Sequence, residues 1–93
     1  MKNNLKTMKK EIIDLLSYVK ASKHRTKVLL AIDNDIWISS EISKKTNLSQ
    51  AHTSRALRGL QDTKLVKCLN EERKRGRLFI TTDIGKKIIS YIK

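Results

Sequence analysis

"SSEISKKTNLSQAHTSRALRGLQDTKLV", residues 39–66, is the stretch that decides the fold. Ser39 or Ser40 caps a short helix that carries Ile42, "TNL" at 46–48 supplies a tight turn, and Ser49 caps a second helix running to about Thr63. Serine suits both starts because its hydroxyl accepts a bond from one of the N–H groups that a helix leaves open at its first turn. On the second helix Thr53, Ala56, Leu57 and Leu60 recur at three- and four-residue steps and share an inward face. Ala51, Ser54, Arg55 and Arg58 then point outward, with Gln50 and His52 at the flanks near the helix start.

Outward from this centre, "LVKCL" at 65–69 and "LFIT" at 78–81 read as two strands. Between them "NEERKRGR" gathers Arg73, Lys74, Arg75 and Arg77 around Gly76, which spells the loop of a hairpin. "TDIGKKIISYIK" follows as a capped helix over about 82–92, with Ile84, Ile88 and Ile92 on one stripe. In the other direction, "IWIS" at 36–39 suits a brief strand. Ser22 caps a helix with Val28, Leu29 and Ile32 inward, ending near "DND". Leu5, Met8, Ile12, Leu15, Leu16 and Val19 predict a first helix over about 5–20. The expected fold is mainly α with a small β hairpin, an α+β arrangement in one domain spanning residues 1–93.

In this order the elements resemble a winged helix-turn-helix domain, with the helix-turn-helix over about 39–63 and the wing over about 65–82. "EISKKTNLSQAHTSRAL" resembles the positioning helix, turn and recognition helix of small transcriptional regulators, especially archaeal proteins akin to the MarR and ArsR groups. "GRLFITTDIGKKI" resembles their arginine-bearing wing exit and the helix after it. One position departs from the pattern: Lys64 in "DTKLV" stands where the family commonly has glycine, which bears on the local backbone turn. The resemblance implies a regulator that binds double-stranded DNA as a homodimer through its terminal helices. The superfamily also contains protein-binding modules, so the fold by itself does not assign DNA.

Charge points the same way. The chain has 93 residues, 21 Lys and Arg against 9 Asp and Glu, and a net charge of +12, which favours a polyanionic partner. The excess sits at both ends, since residues 1–31 and 63–93 are basic while the middle balances. The apolar runs are too short to span a membrane and no secretory leader pattern opens the sequence, so a cytoplasmic location without membrane contact is expected.

The candidate DNA-binding residues are Ser49, Gln50, Ala51, His52, Ser54, Arg55 and Arg58 on the helix, and Arg73, Lys74, Arg75 and Arg77 on the loop. Arginine can bond guanine bidentately, glutamine can bond adenine, a small alanine can meet a thymine methyl, and a helix start at Ser49 favours phosphate. The loop cations can lie along phosphates or enter a narrow minor groove. The plain alternatives are a solvated helix face and a hairpin tip blunted with charge against edge pairing, and Glu71 and Glu72 dilute the loop's charge. Ser22, Lys23, Arg25 and Lys27 are further backbone-contact candidates.

Other chemistry finds no support. Cys68 is the single cysteine and reads as a small buried residue, and His24 and His52 lie on different helices without carboxylate or thiol spacing, so no metal or cofactor is implied. No carboxylate pair, activated nucleophile or phosphate loop marks an enzyme. Ile84, Ile88, Ile89, Tyr91 and Ile92 give the last helix more apolar surface than a small core needs, which together with the long first helix suggests the dimer interface. No residue names an effector. Two other functions fit the composition, an architectural protein that coats DNA without sequence preference and a protein-interaction module.

Overall fold

The structure, a computed structural model, describes the backbone of residues 2–93 and the side chains of residues 9–93. Five helices and three short strands follow one another as α1 (Lys2–Lys20), α2 (Lys23–Ile32), β1 (Trp37–Ile38), α3 (Ser39–Thr46), α4 (Gln50–Asp62), β2 (Val66–Cys68), β3 (Leu78–Thr81) and α5 (Asp83–Ile92). Leu5 and Met8, expected on the inward face of α1, lie outside the described side chains.

Each junction is made by local chemistry. Ser22, in extended conformation, accepts the Arg25 N–H on its Oγ at 3.2 Å and starts α2. Arg25 then turns back: its Nε donates to the Tyr18 carbonyl at 2.9 Å while its guanidinium lies 3.9 Å from the centre of the Tyr18 ring. Thr26 donates to the Val19 carbonyl at 2.9 Å, so α2 satisfies two of the carbonyls that the end of α1 leaves open. Between α3 and α4, Asn47 takes the left-handed conformation (φ 59°), which asparagine tolerates. The half-buried turn is closed by Ser43 Oγ donating to the Leu48 carbonyl at 2.6 Å. Ser49 caps α4 as expected, accepting the His52 N–H at 3.0 Å.

α3 starts one residue earlier than a cap at Ser39 would place it, and two earlier than a cap at Ser40. Its N-cap is Ile38, which has no side-chain acceptor; the compensation comes from Glu41, whose Oε1 accepts the Ile38 N–H at 3.2 Å. The sheet explains the shift, because Ile38 is still paired with Leu78, and the helix begins as soon as the strand ends. That pairing gives the brief strand expected at 36–39 its partner and makes the sheet three-stranded, in the order β1-β3-β2. β1 meets β3 as Trp37 opposite Phe79, and β2 meets β3 as Val66 opposite Thr81 and Cys68 opposite Phe79.

The core forms where α2, α4, α5 and the sheet converge on Val28, Leu29, Ile32, Ile42, Leu57, Leu60, Leu65, Phe79 and Ile88. Thr53, Ala56, Leu57 and Leu60 of α4 are all buried, as their spacing predicts. α5 is less free than its composition suggests: Ile88 and Ile89 are in the core and Ile84 and Ile92 pack on its edge, leaving Tyr91 exposed. Cys68 is buried as expected. Among the described residues, no helix is long and apolar enough to cross a membrane.

The end of α4 carries the sequence's one departure from pattern. Lys64 adopts φ 63°, the left-handed turn that glycine enters without cost. Its N–H bonds the Gln61 carbonyl at 2.9 Å and the Leu65 N–H bonds the Leu60 carbonyl at 2.9 Å, the paired bonds of a Schellman stop. The chain therefore keeps the turn and accepts its strain. Leu65 is then clamped from the other side, as the Thr82 N–H donates to its carbonyl at 3.0 Å and α5 starts against it. A Cβ on Gly85 would collide with that same carbonyl, so only glycine fits there.

Candidate nucleic-acid interface

α4 presents its inward face to the core, and helical geometry places the remaining positions on the opposite side. Ser49, Gln50, Ala51, His52, Ser54, Arg55 and Arg58 are all exposed. They do not form one surface, however. Gln50, Ser54 and Arg58 line one side of an open groove of about 690 Å³, and Lys74, Arg75 and Arg77 of the hairpin line the other. His52 and Arg55 look instead into a smaller recess shared with Ser22, His24 and Arg25 of α2. Arg73 is exposed at the hairpin tip outside both.

The hairpin loop is ordered by a residue with no charge. Asn70 Oδ1 accepts the Leu78 N–H at 2.8 Å and its Nδ2 donates to the Gly76 carbonyl at 3.1 Å, so one amide bridges both arms of the loop. Gly76 is in the left-handed region (φ 66°) with open space around it, so the position needs glycine for its backbone and not for room. Arg77 also works inside the loop, donating through Nε to the Arg73 carbonyl at 2.6 Å and through Nη2 to the Glu71 carbonyl at 3.3 Å. It holds the hairpin's shape with two of its five donors, which separates it from its neighbours.

Among the described residues the charges of Arg55, Arg58, Arg73, Lys74 and Arg75 meet no carboxylate, and the one ion pair lies elsewhere, between Lys93 and Asp33 at 2.9 Å. The groove thus has Arg58 on one side and Lys74 and Arg75 on the other, none of them paired with a carboxylate among the described residues. Its end is formed by Ser39 and Ser40 in the first turn of α3, and Gln61 lines it one turn beyond Arg58. Gln61 follows Ser54 and Arg58 at helical spacing, whereas the two serines carry no signal in the sequence for that location. Ser39 and Ser40 reach the groove because β1 docks on β3 and brings the start of α3 beside the hairpin. Of the candidates on α2, Arg25 is committed to Tyr18.

The arrangement of a helix-turn-helix, a three-stranded sheet and a basic hairpin beside the second helix can be compared with solved structures. TubR bound to 24 bp of tubC, from Bacillus thuringiensis serovar israelensis pBtoxis, superposes with a TM-score of 0.75 over 87% of this chain and 90% of its own, at 13% identity. The fold is a winged helix. A putative transcriptional regulator of the MarR family from Porphyromonas gingivalis W83 gives a TM-score of 0.72 at 18% identity, covering 86% of this chain and 80% of the other. The S. aureus MepR–DNA complex gives 0.69 at 18% identity, over 98% of this chain and 77% of the other. No family model and no curated protein matches the chain. At these identities the likeness is one of fold.

Proposed function

We propose that this winged helix is a sequence-specific regulator of transcription that binds double-stranded DNA without catalysis. α4 enters the major groove and the wing lies on the backbone or in the minor groove. The observation that carries the reading is the groove itself, in which Gln50, Ser54 and Arg58 face Lys74 and Arg75 across open space, the three cations making no ion pair among the described residues. Polar groups on the helix suit base edges, and unpaired cations on the loop suit phosphate. Two of the solved neighbours, TubR and MepR, are bound to 24 bp of tubC and to DNA respectively, which supports the same use of the fold here. A cytoplasmic location and kinship with archaeal MarR- and ArsR-type regulators belong to the same proposal and rest on the motif resemblance.

The regulator acts as a homodimer through α1 and α5. Support comes from Ile13 on α1 and Tyr91 on α5, 60% and 57% exposed, which leave apolar surface on the two terminal helices that pack against each other. Pairing supplies the two half-site contacts that a single small module lacks. Sedimentation of the protein alone and with its preferred duplex tests this: a monomer that stays one-to-one on DNA removes the half-site mechanism.

The DNA reading is tested by selecting bound duplexes from a random pool and then neutralising Arg73, Lys74 and Arg75 together. Affinity should fall by similar factors on selected and random duplexes, and the slope of log affinity against log salt should shrink by roughly 0.9 for each phosphate that the wing no longer neutralises. Arg58→Ala, on the helix side of the groove, should instead cost about 1–3 kcal/mol at the selected site and flatten preference at one base position. Equal affinity for every duplex would mean an architectural coat, and the lack of any salt-dependent DNA affinity would mean a protein-interaction module.

A further inference from the structure

On the side of α4 away from the wing, the structure joins two residues that the sequence holds 28 positions apart. His24, in the first turn of α2, and His52, in the first turn of α4, lie with ring centroids 4.4 Å apart and planes tilted by 33°. They share a recess of about 260 Å³ with Ser22, Arg25, Arg55 and Ala56. Among the described residues neither imidazole has a hydrogen-bond partner or a carboxylate beside it, so both rings keep their N–H groups for something outside the protein. The charged side chains that line the recess with the pair are both cations, Arg25 on α2 and Arg55 on α4. Arg25 is turned toward Tyr18, which leaves Arg55 as the guanidinium free to reach a ligand in the recess.

We propose that this pair is a phosphate clamp that works by proton uptake: a DNA phosphodiester seats against His24, His52 and Arg55, and one imidazole takes a proton from solvent as it arrives. The inference rests on the DNA-binding reading of α4 and adds to it a second backbone contact, on the flank opposite the wing, whose strength depends on pH. Three features of the recess select an anion. It is lined by donors, it opens between the starts of two helices whose first-turn N–H groups add positive potential, and it contains no acid to compete. The proton follows from the spacing. Protonating a ring this close to its neighbour and to the Arg55 side of the recess is opposed by like charge, whereas a phosphate against the N–H edges of both rings offsets that with charge-assisted hydrogen bonds. A metal ion would need further ligands, and no group of three or more His, Cys, Asp or Glu side chains occurs among the described residues.

Proton uptake on binding has a required sign. Affinity must rise as pH falls through the range in which imidazole titrates, by up to about tenfold per pH unit for each proton linked. The experiment measures fluorescence anisotropy of a short random-sequence duplex at constant ionic strength, from mildly alkaline to mildly acidic pH. It compares the full chain with the His24→Gln/His52→Gln double variant and with the wing variant neutralised at Arg73, Lys74 and Arg75. Wild type and wing variant should share the same pH slope, and the double variant should lose it. His52→Gln alone, at an exposed position, serves if circular dichroism shows the double variant unfolded, and it too should lose the slope. The imidazole ring-proton resonances of wild type should move toward their protonated positions when duplex is added near neutral pH. An unchanged slope in the histidine variants, with DNA binding intact, overturns the clamp and leaves the DNA reading standing. Absence of duplex binding at every pH overturns both.

Discussion

Replacing Lys64 by glycine should make the protein more stable although it removes a side chain, because Lys64 takes part in hydrogen bonds only through its own backbone N–H and carbonyl. Lys64 sits at φ 63°, and its turn ends α4 through the 2.9 Å bonds from Lys64 to Gln61 and from Leu65 to Leu60. A residue with a Cβ in the left-handed region carries a strain of about 1–2 kcal/mol, which glycine lacks. Glycine in turn loses more chain entropy on folding, by roughly 0.5–1 kcal/mol. Loss of a cation near a helix C-terminus costs a few tenths more, about 0.3 kcal/mol at an exposed site. The expected balance is a gain of about 0.5 kcal/mol, equivalent to roughly 2–4 °C in Tm for a chain of this size. Lys64→Ala separates the causes, because it removes the charge and keeps the Cβ; it should not stabilise. Urea melts of the three proteins should show a raised midpoint for Lys64→Gly at unchanged slope. If Lys64→Ala is as stable as Lys64→Gly, backbone strain is not what limits this turn and the reasoning fails.

Gly85→Ala should destabilise by at least about 2 kcal/mol, since its Cβ meets the Leu65 carbonyl and neither α5 nor the end of α4 can retreat without opening the core. Gly76→Ala, where the surroundings are open, should cost only the left-handed strain of about 1–2 kcal/mol, and chemical denaturation ranks the two. Thr81 Oγ1 is buried without a partner, so Thr81→Val, which keeps the shape and removes the hydroxyl, should raise stability by about 1 kcal/mol in the same assay. Asn70→Ala removes the two bonds that the Asn70 amide makes across the wing, and hydrogen exchange should show the Leu78 amide losing protection while amides of α4 keep theirs.

Much of this molecule was determined by short-range chemistry and is therefore written in the sequence. Ser22 and Ser49 cap their helices because an N-cap needs only a hydroxyl and the three residues after it. The inward face of α4 follows from the helical repeat, and Asn47 and Gly76 mark turns because few residues enter the left-handed region freely. The exposure of Gln50, Arg55 and Arg58 follows from the same repeat.

What the tertiary structure alone decided depends on contacts between residues distant in the chain. Pairing of Ile38 with Leu78 put the N-cap of α3 at Ile38 and carried Ser39 and Ser40 to the groove, an outcome no capping preference encodes. α5 has the composition of an interface helix, yet Ile88 and Ile89 are consumed by the core it closes, because composition counts apolar groups and cannot say what faces them. Arg77 and Arg75 are two residues apart and equally charged, but only Arg77 meets the carbonyls of Arg73 and Glu71, since the loop folds back over it. The meeting of His24 and His52 has the same origin: each is an ordinary polar residue on its own helix, and their 4.4 Å approach exists because α2 packs across α4.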